Sequence, residues 1–157
     1  MKKIYFEDIA GYLPYGLRVN MISRSCATYD VSLMNCGLDY NATATVSEWY
    51  FSRKGATFGL NDIKPIVRPL SDLTKEIEHD GKKFVPIDEL AEWLYGEEPE
   101  SFGKKEDARS WIDFNLGGSQ IVGNLPFKLV RKLIKWHFDI HNWIGDGLAI
   151  SNETQSY

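Results

Sequence analysis

Residues 124 to 150, NLPFKLVRKLIKWHFDIHNWIGDGLAI, form the longest segment of the chain with one unambiguous hydrophobic period. Asn124 fits a helix N-cap, and Pro126 falls in the first turn, where a missing N–H costs nothing. Gly145 and Gly147 supply a stop. Stepping about 100° per residue, Lys128, Arg131, Lys132, Lys135, Asp139 and Asn142 share one polar arc roughly 100° wide. The rest of the circumference is apolar or histidine, including Leu129, Val130, Leu133, Trp136, Phe138 and Trp143. That is wider than the stripe of an ordinary surface helix. The pattern therefore predicts one helix over residues 125 to 144, packed on more than one side. Each fully buried large side chain contributes about 1.5–3 kcal/mol, so no other segment of similar length weighs as much.

His137 and His141 lie four apart within the apolar arc, which on a helix points both imidazoles the same way. A buried ring nitrogen without a partner costs on the order of 1–3 kcal/mol. Each ring is thus expected to be hydrogen-bonded within a core, to face a ligand cavity, or to hold a metal. Two histidines one helical turn apart are the arrangement of helix-borne zinc sites. The metalloprotease pattern also needs glutamate after the first histidine, where this chain has Phe138. No spacing points to further ligands, and no metal or cofactor is expected. His137 and His141 stand as candidate ligand-binding residues, with a structural role as core histidines the plainer account.

With 157 residues, of which 43 % are hydrophobic and 13 % aromatic, the chain is expected to form a single domain over residues 1 to 150, with a flexible tail at 151 to 157. A net charge of −4 excludes a generally basic nucleic-acid binder but not a local basic patch. The opening MKKIYFEDIAGYLPYG has the lysines of a signal peptide, yet Glu7 and Asp8 break its apolar run. A secretion signal is not expected there, and no uninterrupted apolar run reaches membrane-spanning length. A cytoplasmic chain follows, in which Cys26 and Cys36 are reduced thiols.

Along the chain, Phe6 to Leu13 reads as a short helix closed by Pro14 and Gly16. Leu17 to Met21, Tyr29 to Leu33 and Thr43 to Phe51 read as strands of an antiparallel meander. Pro65 and Pro69 argue that Ile63 to Leu70 is an extended edge segment and not a central strand. Asp80-Gly81, flanked by Lys75 to His79 and Lys82 to Val85, is the strongest hairpin signal. Asp88 to Tyr95 is a second short helix with acids in its first turn. Glu97 to Asp107 is a charged loop, and Ser110 to Val122 is buried in character, as helix-then-turn or as hairpin. Leu148 to Ile150 suits a short docking strand. Together these segments predict an α+β fold: an antiparallel sheet packed against one long, largely buried C-terminal helix, with short helices besides.

Few residues announce chemistry. Gly118 and Gly123 bracket the spacing of a phosphate-binding loop, but Asn124 and Leu125 stand where lysine and serine or threonine belong. There is no nucleophile elbow, and neither cysteine has a histidine close in sequence. Lys128, Arg131, Lys132 and Lys135 are the sharper feature. Four cations against Asp139 make this segment locally basic in an acidic protein, a footprint for an acidic protein surface or for nucleic-acid phosphates. The plainer account is a solvated helix face neutralised by the acidic stretch Glu97 to Asp107. Trp49-Tyr50-Phe51 and Trp93-Leu94-Tyr95 are further candidate contacts, if exposed.

Three strings occur together: IKPIVRPLSDLTKEI from Ile63 to Ile77, GKKFVPI from Gly81 to Ile87, and KLIKWHFDI from Lys132 to Ile140 with GLAI at Gly147 to Ile150. With the opening Glu7-Asp8-Ile9 and Leu13-Pro14-Tyr15-Gly16-Leu17, the chain resembles small uncharacterised proteins encoded by Bacteroides phages and prophages. Ser23 to Asn61 and Glu97 to Gly123 have no counterpart in that resemblance. It implies an accessory protein acting inside the bacterial host, and it carries over no activity, cofactor or catalytic residue. The expected function is a non-enzymatic interaction module with a phage or host protein partner. Its alternatives are a small-ligand-sequestering protein or enzyme with a pocket, with or without a metal, lined by His137 and His141, and nucleic-acid binding through the basic face.

Overall fold

The structure, a computed structural model, describes residues 2–22, 28–32, 37–39, 50–53, 56–60, 63–117 and 124–155. Cys26, Cys36, Trp49 and the glycine-bracketed segment Gly118 to Gly123 lie outside the described residues, as does most of the strand expected from Thr43. In chain order the elements are α1 (Phe6–Ala10), β1 (Arg18–Ile22), β2 (Thr28–Ser32), β3 (Gly37–Asp39), β4 (Tyr50–Arg53), β5 (Ala56–Gly59) and β6 (Ile63–Val67). There follow β7 (Ile77–His79), β8 (Lys82–Phe84), α2 (Pro86–Glu97), α3 (Lys105–Gly117), α4 (Phe127–Lys135) and β9 (Ile150–Ser151). The fold is α+β, and it divides into two compact units: Met1–Arg68 with His141–Tyr157, and Pro69–Ile140.

In the first unit, the Asp8 carboxylate accepts from the Tyr5 N–H at 3.1 Å, capping α1. A 3-10 turn at Leu13–Tyr15 then leads to Gly16, whose φ of 70° lets the chain reverse into β1. The main sheet has the order β2-β1-β6-β9, and β3, β4 and β5 form a separate antiparallel sheet. Ile9, Tyr12, Leu17, Val19 and Val67 are wholly buried.

The edge position expected for Ile63 to Leu70 needs correction, because β6 lies inside the sheet with a neighbour on each side. Staggered ladders reconcile this with Pro65. Antiparallel pairing with β1 covers Ile63 to Pro65, while parallel pairing with β9 begins only at Ile66, opposite Ile150. Pro65 is therefore not pressed to donate on the β9 side. Ser151 pairs with Val67, and a 3-10 turn continues over Asn152–Gln155.

In the second unit, β7 and β8 form the expected hairpin, with Asp80 at φ 52° and Gly81 at φ 75°. Both central residues at positive φ suit the right-handed twist of the strands. On α2, Pro86 occupies the first turn and Asp88 and Glu89 follow it, while Ile87, Leu90, Ala91 and Leu94 are buried at helical spacing. Residues 110 to 117 belong to α3, so the segment is helical there, with Ala108, Ile112 and Leu116 inward. Leu129 and Leu133 of α4 join the same core, together with Trp136 and Phe138.

The long C-terminal helix is the main correction. The helix spans nine residues, Phe127–Lys135, and does not run to Ile144. His137 takes a left-handed φ of 61°. The Phe138 N–H donates to the Leu133 carbonyl at 2.9 Å, and the His137 N–H to the Ile134 carbonyl at 2.9 Å. These are the two bonds of a Schellman stop, completed by the burial of Leu133 and Phe138 in one core. Asn142 is also left-handed, at φ 58°. Beyond Lys135 the apolar period persists for reasons unrelated to a helix: Phe138 is buried from an isolated β-bridge position and Trp143 from a turn. Asp139, expected on the polar arc, is only 4 % exposed.

Candidate interaction surface

The paired-histidine geometry goes with the lost helix. Neither His137 nor His141 is helical. In the second unit, His137 is half-buried and meets the His79 ring edge-on at 5.9 Å, while His79 Nε2 lies 3.4 Å from the Asp80 carboxylate. In the first unit, His141 is exposed and stacks on Trp143 at 4.7 Å. Among the described residues, no cluster of three or more histidine, cysteine, aspartate or glutamate side chains is arranged to hold a metal ion.

The basic segment is better defined. On the nine residues of α4, Phe127, Lys128, Arg131 and Lys135 point outward, Lys132 borders them, and Leu129 and Leu133 face the core. Two of the four cations are engaged by α2. Lys128 lies 3.4 Å from Glu97, with its ammonium over the Trp93 ring, and Lys132 lies 3.6 Å from Glu89, with its ammonium over Trp136. Glu97 is the acid anticipated from the charged loop; Glu89, from the first turn of α2, was not. These are exposed or half-exposed pairs, worth about 0–1 kcal/mol each. Arg131 and Lys135 are exposed and have no ion pair among the described residues.

Between β8 and α2, an open groove of about 560 Å³ is lined by Lys82, Phe84, Asp88, Glu89, Trp93 and Lys132, among others. Its charges already answer one another. Glu89 sits between Lys82 at 3.5 Å and Lys132, Asp88 meets Arg109 at 3.1 Å, and Glu92 meets Lys105 at 2.9 Å. The hydrogen bond from Lys105, with the field of its charge, holds the Glu92 carboxyl below its usual range. Trp93, a candidate exposed aromatic, is half-buried, and Leu94 is buried.

Sequence reasoning missed the two aromatics that do face outward in this unit. Phe127 is 72 % exposed and Phe114 is 81 % exposed, although the sequence around each is of buried character. Helical spacing carried a signal for Phe127, which stands one turn before Arg131 and two before Lys135 on the same face. Compared with protein-family models, curated proteins and solved structures, the chain finds no match.

Proposed function

We propose that the chain is a non-enzymatic interaction module that docks on an acidic protein surface through the outer face of α4. The observation that carries this reading is Phe127, 72 % exposed and in line with Arg131 and Lys135. An exposed phenyl ringed by cations combines an apolar anchor with charges that steer a partner of opposite sign. Two features favour a protein over nucleic acid. Lys128 and Lys132 are turned toward Glu97 and Glu89, which lowers the charge available to phosphates. The neighbouring span 86 to 117 also carries nine acids against three bases, which repels a polyanion passing α4. The resemblance to phage-encoded proteins supports a phage or host protein as the partner and the bacterial cytoplasm as the place. Among the described residues, no helix is long and apolar enough to cross a membrane.

The test compares the wild-type chain with a Phe127→Ser/Arg131→Glu variant in affinity capture from host lysate, with cross-links mapped by mass spectrometry. A captured protein that cross-links near α4, presents acidic residues there, dissociates as salt rises and is lost with the variant supports the reading. Capture that is indifferent to the variant and to salt overturns it.

A further inference from the structure

The outer face of α3 is the electrostatic counterpart of the outer face of α4. Along α3, Glu106, Asp107, Ser110, Asp113 and Phe114 are exposed on one side, opposite the buried Ala108, Ile112 and Leu116. Phe114 is 81 % exposed, and Glu106, Asp107 and Asp113 have no ion pair among the described residues. Arg109, the cation within this stretch, is turned to Asp88. One helix of the unit thus presents a phenyl among unpaired acids, and another presents a phenyl among unpaired bases. Their inner faces share one core, so the two outer faces point away from it and cannot meet within a single copy.

From this complementarity, and resting on the reading of α4 as a docking face, we infer that the partner is a second copy of the chain. The α4 face of one copy (Phe127, Arg131, Lys135) seats on the α3 face of the other (Phe114, Glu106, Asp113). The contact joins two different faces and is therefore heterologous, so each copy can offer one face to one neighbour and the other face to a second. Each contact brings two phenyls out of water, and opposed charge sets the register.

The experiment is sedimentation velocity over a concentration series at low and high salt, starting from the 18.0 kDa chain. Wild type is expected to reach twice that mass or more as concentration rises and to dissociate in high salt. Arg131→Glu/Lys135→Glu leaves acids on both faces, and Glu106→Lys/Asp113→Lys leaves bases on both. Each variant alone is expected to stay monomeric, and an equimolar mixture is expected to recover assembly, because every α4–α3 contact between the two variants then joins opposite charges. The mixture also guards against a folding artefact, since a misfolded variant cannot restore assembly. Wild type that is monomeric throughout, or assembly that survives both variants, overturns the inference. If wild type is monomeric while lysate capture still depends on Phe127 and Arg131, self-association falls and the docking reading stands; loss of both sinks both.

Discussion

His137 offers a test of where the C-terminal helix ends, because the two architectures predict opposite signs for one comparison. At φ 61°, any side chain with a Cβ is strained. An L-residue in the left-handed region pays about 1–2 kcal/mol relative to the right-handed one, and glycine escapes that penalty but gives back roughly 0.5–1 kcal/mol in unfolded-chain entropy. His137→Gly is therefore expected to be about 0–1.5 kcal/mol more stable than His137→Ala. Comparing the two variants cancels the imidazole and its 5.9 Å contact with His79, which both remove. Were residue 137 inside a continuous helix, alanine would be the more stable by about 0.8–1.0 kcal/mol, so the two cases differ by roughly 1–2.5 kcal/mol. Urea unfolding read by tryptophan fluorescence resolves that gap, provided the two variants share one slope. An alanine variant more stable than the glycine variant by about 0.8–1.0 kcal/mol would refute the Schellman stop and restore the long helix.

Two further outcomes follow from local geometry. Gly81 at φ 75° and Gly96 within α2 both have open space where a Cβ would go, so their alanine variants isolate backbone conformation. Gly81→Ala is expected to lose up to about 1.5 kcal/mol and Gly96→Ala to gain roughly 0.4–1 kcal/mol; urea midpoints moving in the same direction would contradict the turn. Glu92 titrates below its ordinary value of 4.5 because Lys105 donates to it. A depressed carboxylate adds stability above its unfolded pKa and loses it as pH falls through the folded value. Lys105→Met is expected to raise the Glu92 midpoint in a carbon-detected NMR titration, and an unmoved midpoint would deny the contact.

Legibility in the sequence tracked how local the cause of each feature was. Asp80-Gly81 specified its hairpin because both residues tolerate positive φ, and α2 was visible in its acidic first turn and apolar spacing. The end of α4 was not, because the stop uses histidine where a glycine would have given warning. Apolar residues then continue in register for about two and a half more turns' worth of sequence, and periodicity cannot tell a buried helix from other buried segments. The interior position of β6 was likewise hidden. Its resolution depends on where β9 begins to pair, a long-range fact absent from the proline spacing. For the surface, the four cations were legible, but not which of them would find acids on α2.

Shortening the helix also changes what its charge means. With the stop at Lys135, Lys132 and Lys135 occupy the last turn, where cations complement the exposed carbonyl ends of the helix. Lys128 is drawn to Glu97 and to the Trp93 ring. Three of the four cations therefore have a structural reason to be there whether or not a partner exists. Arg131 has none of these reasons, and Phe127 has less: a phenyl 72 % exposed in a first helical turn contributes nothing to the core. Function is best sought where folding leaves a residue unexplained. On α4 that places the weight on Phe127 and Arg131, which the capture variant removes together, while Lys132 alone is expected to report mainly on its contacts with Glu89 and Trp136.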